Sequence, residues 1–96
     1  MIKHIVCYKL KDSSIDGKKK VYDNFMRMKE NIDLFVDLQV GLDFLGSERS
    51  YDVVLEIVFE SQDKMNEYQK HPYHVNIVKP FMKEARISSV SVDYEF

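Results

Sequence analysis

Tyr51-Asp52-Val53-Val54-Leu55-Glu56-Ile57-Val58-Phe59-Glu60 alternates over its whole length. In an extended chain Tyr51, Val53, Leu55, Ile57 and Phe59 share one face, and Asp52, Val54, Glu56, Val58 and Glu60 the other. The first face is wholly apolar and the second is half apolar. A strand of this kind sits in a sheet with apolar demands on both sides. Residues 2–10 repeat the pattern: Ile2, His4, Val6, Tyr8 and Leu10 on one face, Lys3, Ile5, Cys7 and Lys9 on the other.

Working outward, Asp12 to Ser14 supply turn and cap residues, with Ser13 and Asp16 spaced to satisfy backbone donors at a helix start. From Ile15 to Ile32, Val21, Phe25, Met28 and Ile32 draw an apolar stripe at helical spacing, widened by Tyr22 and Met26. Leu34 to Leu45 reads as a less regular strand, with a bulge or bend expected at Gly41. Gly46 to Ser50 is a hairpin-sized loop. After Glu60, Ser61 caps a helix carrying Met65 and Tyr68 that continues, past a break, through Ile77 and Phe81 to about Ala85. Arg86 to Glu95 forms the last strand. The break falls at Pro72. Proline disfavours helical backbone at His71, and it opens a helix well because its missing N–H needs no partner there.

Strand, helix, strand, strand, helix, strand is the order of a ferredoxin-like α+β protomer with a four-stranded antiparallel sheet, here one domain over residues 1–96. Two helices cover one face of such a sheet. The other carries Ile5, Cys7, Val54, Val58, Val90 and Val92, a patch that a second copy laid sheet against sheet would bury. A homodimer through this open face is therefore expected, with Glu56 at its middle in need of a donor or a rim position.

Composition narrows the function classes. The chain has 45% hydrophobic and 31% charged residues and a net charge of −2, which argues against a nucleic-acid footprint. The only basic run, Lys18 to Lys20, is shorter than the clusters that hold proteins on anionic membranes. No apolar run approaches a membrane span and no signal peptide is expected, so the expectation is a cytoplasmic protein. The single cysteine, Cys7, excludes an intrachain disulfide. No glycine-rich phosphate loop, cysteine pair or glycine-flanked serine occurs, and no cofactor is expected. A metal site on His4, His71 and His74 is not expected either, because Pro72 interrupts the helix that would align two of them.

Chemistry concentrates in Tyr68-Gln69-Lys70-His71-Pro72-Tyr73-His74-Val75. The helix break brings the end of one helix, with Tyr68, toward the start of another, with His74. Amide dipoles at a helix start disfavour the imidazolium, leaving a neutral imidazole able to accept a proton. The same pair also serves a structural reading, in which a phenol and an imidazole satisfy each other's polar tips in a crowded place.

Four segments carry a family resemblance: Ile2-Lys3-His4-Ile5-Val6, Tyr51 through Ser61, His71-Pro72-Tyr73-His74-Val75, and Val92-Asp93-Tyr94. Together they resemble the stress-responsive dimeric A/B barrel (Dabb) family across almost the whole chain. The resemblance implies a dimeric α/β barrel of two ferredoxin-like protomers and a cavity between sheet and helices. One plant member closes a linear polyketide by a cofactor-free aldol condensation, and its working tyrosine and histidine match Tyr68 and His74, with His4 matching a cavity histidine. The implied ligand walls are Val6, Tyr8, Tyr22, Phe25, Leu55, Ile57, Val75 and Ile77, chiefly apolar. Val53, Val21, Ser89 and Ser91 depart from that member's cavity pattern.

Two functions follow as expectations. The first is a homodimer that binds a small hydrophobic or aromatic molecule between sheet and helices. The second is a cofactor-independent enzyme, cyclase, lyase, monooxygenase or isomerase in type, with His74 and Tyr68 as acid/base pair.

Overall fold

The computed structural model describes residues 1–96. Its elements are β1 (Ile2–Leu10), α1 (Ile15–Met26), α2 (Met28–Asn31), β2 (Asp37–Leu42), β3 (Val53–Phe59), α3 (Gln62–Lys70), a π-helical turn (His74–Val78), α4 (Lys79–Ala85) and β4 (Arg86–Glu95). One antiparallel sheet runs in the order β2-β3-β1-β4.

The register follows from the alternation. Val6 pairs with Leu55, His4 with Ile57 and Ile2 with Phe59, so the apolar set of β3 and the inner set of β1 stand on one face. Helices cover that face, and Val53, Leu55, Ile57 and Phe59 are all at most 2% exposed. Against them pack Val21, Phe25 and Met28 from the α1 and α2 stripe, Leu38 from β2, and Tyr68, Val78 and Met82 from the second helical layer. Burying a side chain of this size contributes about 1.5–3 kcal/mol.

Four local features differ from the sequence reading. The first helix begins with Ser14 as its cap, the side chain accepting from the Gly17 N–H, while Asp12 accepts from the Ser14 N–H; Ser13 and Asp16 do not fill those places. That helix is interrupted at Arg27, so Ile15 to Ile32 is two helices. β2 is shorter, Asp37–Leu42, and holds continuous register through Gly41 with no bulge. A side chain at Gly41 would meet Val54 Cγ1 at 2.9 Å, so the glycine gives room to its cross-strand neighbour. The irregularity lies instead between Lys9 and Leu10, opposite the start of β4.

The two faces of the sheet differ. Beneath the helices the core is closed over β1 and β3, whereas the outer face leaves Val90, Val92 and Tyr94 44–61% exposed and Ile5, Cys7, Val54 and Val58 half-buried. β4 is exposed along almost its entire length, on both faces. No helix is long and apolar enough to cross a membrane.

Ile57→Ala, at the centre of the core, is expected to lower unfolding stability by about 2–5 kcal/mol. Ile15→Ala, 70% exposed, should change it by less than about 0.5 kcal/mol. Urea denaturation of the two variants checks the assignment of the inner face.

Candidate functional site

Tyr68 and His74 meet because the chain leaves helical geometry once and re-enters it at once. α3 starts at Ser61, whose hydroxyl accepts from the Lys64 N–H, and ends at His71, with φ −60° and ψ 134°. The His71 imidazole then caps the restarted helical turn, Nδ1 accepting from the Tyr73 N–H at 3.1 Å. Its placement serves the backbone. Pro80 adds a second perturbation: lacking an N–H and crowding the carbonyl of Asn76, it is incompatible with an undisturbed α-helical ladder through that turn. The turn widens accordingly, with the Lys79 N–H reaching the His74 carbonyl in an i→i+5 bond.

His74 thereby faces inward, 8% exposed, with its ring 4.3 Å from that of Tyr68. Burial pulls the imidazole pKa below its ordinary 6.5; a backbone group of Gln69 opposes the shift, and Lys79, His4 and His71 add to it. His74 is a neutral ring whose buried Nδ1 has no partner within the chain. Tyr68 is 1% exposed, and its hydroxyl donates to the Met28 thioether at 3.8 Å. Burial holds this phenol well above the usual tyrosine range, so it acts as a donor and not as a phenolate.

His4 stands on β1 with its ring 6.2 Å from Tyr68, and its Nδ1 is hydrogen-bonded to the Asp93 carboxylate. Asp93 is its direct neighbour in the sheet. From sequence Asp93 stood only in the closing segment of the family resemblance, with no role assigned. Its signal is the alternation of β4: Ser89, Ser91 and Asp93 are all polar where a core-facing row would be apolar. The carboxylate selects which imidazole nitrogen bears the proton and fixes the ring.

The residues expected as ligand walls separate into two groups. Val6, Phe25, Leu55 and Ile57 are core, each at most 9% exposed, with Tyr8 stacked at 5.5 Å on Phe25. Tyr22, Val75 and Ile77 are 36–48% exposed, and none of the eight residues borders any of the five cavities of the protomer. The widened turn directs His74 and Val78 inward, and Val75 and Ile77 to its flanks. None of the cavities touches Tyr68, His74 or His4.

A cleft of about 390 Å³ lies between α1, α4 and the end of β1, and a smaller cavity of about 260 Å³ is lined by Asp93, the partner of His4, and by Met65 of α3. Leu10, Val21, Phe81 and Ala85 supply the apolar lining of the larger cleft, and Lys11, Lys20, Asp12 and Glu84 line it as well. Gly17 lets the start of α1 approach the turn before it, since a Cβ there would lie 2.1 Å from the Asp12 carbonyl oxygen. Val21 was read from sequence as core, and Ala85 only as a helix end.

One antiparallel sheet in this order, with helices on one face, defines a ferredoxin-like α+β protein. The chain belongs to the stress-responsive A/B barrel domain family, whose model matches residues 2–96. It is similar to a dimeric protein of unknown function with a ferredoxin-like fold from Bacteroides fragilis, at 30% identity and TM-score 0.80, covering 99% of this chain and 95% of that one. A Dabb family protein from Mesorhizobium loti superposes with TM-score 0.85 at 21% identity, covering 99% and 95%. Olivetolic acid cyclase from Cannabis sativa is 27% identical over 77 residues, 77% of this chain and 76% of the cyclase.

Lowering the pH should destabilise the fold through His74. Its folded pKa lies below 6.5, so the unfolded chain binds more protons, and stability present above 6.5 is lost as pH falls below it. His74→Gln should flatten the part of the melting-temperature profile that lies just below pH 6.5. An unchanged profile would contradict the assignment.

Proposed function

We propose that the protein is a homodimer that binds a small hydrophobic or aromatic molecule between its sheet and its helices. The observation that carries this reading is the cleft of about 390 Å³, which falls within the size range of small-molecule pockets. Its apolar lining is Leu10 from β1, Val21 from α1, and Phe81 and Ala85 from α4, beside Lys11, Asp12, Lys20 and Glu84. The apolar outer face and the dimeric Bacteroides fragilis relative support the assembly.

Naphthalene at about ten times its Kd is expected to raise the melting temperature by about 4–8 °C. Ala85→Trp, which fills the cleft, should remove that shift relative to its own unliganded melting temperature. No shift in the parent protein, or an equal shift in the variant, would refute binding at this place.

A second reading is supported by the Tyr68–His74 pair and by the similarity to a cyclase: proton transfer to and from carbon without a cofactor. In it the neutral His74 imidazole takes a proton from a carbon beside a carbonyl, and Tyr68 donates to the developing enolate oxygen. This requires Tyr68 to release Met28 and the chain to admit substrate. Deuterium exchange from solvent into acetylacetone, followed by NMR, tests it. The reading predicts a rate above buffer that falls by about 100-fold or more in His74→Ala and persists in His71→Ala. Equal rates in the two variants would remove it.

A further inference from the structure

Resting on the homodimer reading above, we infer that the turn after β2 is a docking arm: Phe44 and Leu45 of each protomer cover Ile87 and Val90 at the start of the partner's β4. Phe44 is 96% exposed and Leu45 69%, at a loop tip, where polar residues and glycine are the rule. The turn that presents them is firmly tied. The Asp43 N–H donates to the Asp52 carbonyl at 2.9 Å, the Asp43 carboxylate accepts from the Gly46 N–H at 2.8 Å, and Lys18 Nζ donates to the Asp43 carbonyl at 2.9 Å. Gly46 closes the turn at φ 64°, in the left-handed region. Two apolar side chains are thus held out from the protomer with little ordering left to lose on association. Behind them a cavity of about 340 Å³ runs from Phe44 and Tyr51 to Cys7, Gly41 and Val54, so the protomer's own sheet does not seat the ring.

The sheet register decides what lies opposite. From the β2 edge to the β4 edge, the rows of the outer face are Asp37, Val58, Lys3 and Tyr94; then Gln39, Glu56, Ile5 and Val92; then Gly41, Val54, Cys7 and Val90. Beyond the last row stand the arm, following β2, and Ile87, 65% exposed, at the start of β4. Two exposed apolar clusters therefore occupy the same end of the sheet at opposite edges. A second copy laid face to face, about 10 Å away, has two simple two-fold arrangements. An axis across the strands sets each strand against itself in reverse. That faces Lys3 with the partner's Lys9 and Asp37 with the partner's Asp43, like charge on like. An axis along the strands, between β1 and β3, sets β2 over the partner's β4 at equal height. It faces Lys3 with the partner's Val58, and Lys9 with the partner's Asp52, a residue whose N–H donates to the Tyr8 carbonyl and which thus stands level with Lys9. The partner's Lys3 is then one row from Glu56 and supplies the cation that a mid-face carboxylate calls for. This second arrangement joins the two apolar clusters, twice by symmetry, and brings the partner's Val90 over Gly41, which has no side chain in the way.

Two measurements on the full chain test this. The first is sedimentation equilibrium of the parent protein beside Phe44→Ser/Leu45→Ser, two positions whose exposure keeps them out of the protomer core. The expected result is a variant folded by circular dichroism, with dimerisation weakened about 30-fold or more, the scale of one interface hot spot. The second is thiol cross-linking with bismaleimidoethane in a Cys7→Ser background, comparing Gln39→Cys/Val92→Cys with each single substitution. Positions 39 and 92 lie on the two edge strands, three strand spacings or about 14 Å apart within one protomer, beyond the reach of the linker. The expected product is a covalent dimer that forms only when both substitutions are present. A double-serine variant that dimerises as tightly as the parent, cross-linking by either single substitution, or no cross-link in a protein that sediments as a dimer would each overturn the inference while leaving the homodimer intact. A parent that sediments as a monomer would overturn both.

Discussion

Everything in this protomer depends on the inner row of β3 being fully withdrawn from water. Val53, Leu55, Ile57 and Phe59 point to the same side, and every helix is placed by the need to cover them. The stripe Val21, Phe25 and Met28 closes over one half, and Tyr68, Val78 and Met82 over the other. Two helical layers suffice for β3 and β1. They do not reach across β4, and nothing within the chain covers the outer face. The same economy that closes the core therefore leaves an edge strand and an apolar face open, and an exposed ten-residue strand is a surface that proteins ordinarily pair, cover or blunt with charge.

The site is a by-product of how the second layer is held. Tyr68 needs the end of α3, His74 needs an immediate restart, and His71 makes the restart possible by accepting the Tyr73 N–H. Proline at position 80 then widens the turn that directs His74 inward. The result is a neutral imidazole with an unpartnered nitrogen beside a protonated phenol, both deep in the protein and both away from the cleft. Burial makes the pair chemically distinct and at the same time keeps it from solvent. That tension separates a binding role for the cleft from a catalytic role for the pair.

Much of the fold was legible because strand alternation is unambiguous where both faces are patterned, as in Tyr51 to Glu60. The helix break was legible too, since Pro72 acts through sterics on its own neighbour. Less was legible where tertiary context decides. The interruption at Arg27 carries no proline or glycine to announce it, and Gly41 looked like a bulge because a glycine that accommodates Val54 is indistinguishable in sequence from one that bends a strand. The eight wall residues were assigned by resemblance to a relative, and none of them borders a cavity of the protomer; for Val75 and Ile77 the widened turn sets the direction, and its cause, Pro80, lay unread in the sequence. Asp93 required knowing that β4 lies against β1 with position 93 opposite His4, which alternation alone does not give.

We propose that a second copy of the chain completes the outer face of this sheet. Sedimentation equilibrium of the parent protein beside Val92→Asp, a substitution at a position 61% exposed in the protomer, tests it most directly. A parent at twice the chain mass and a variant that is folded but monomeric is the predicted result, since an unpaired carboxylate is costly to bury. A monomeric parent, or a variant that dimerises as well as the parent, would contradict it.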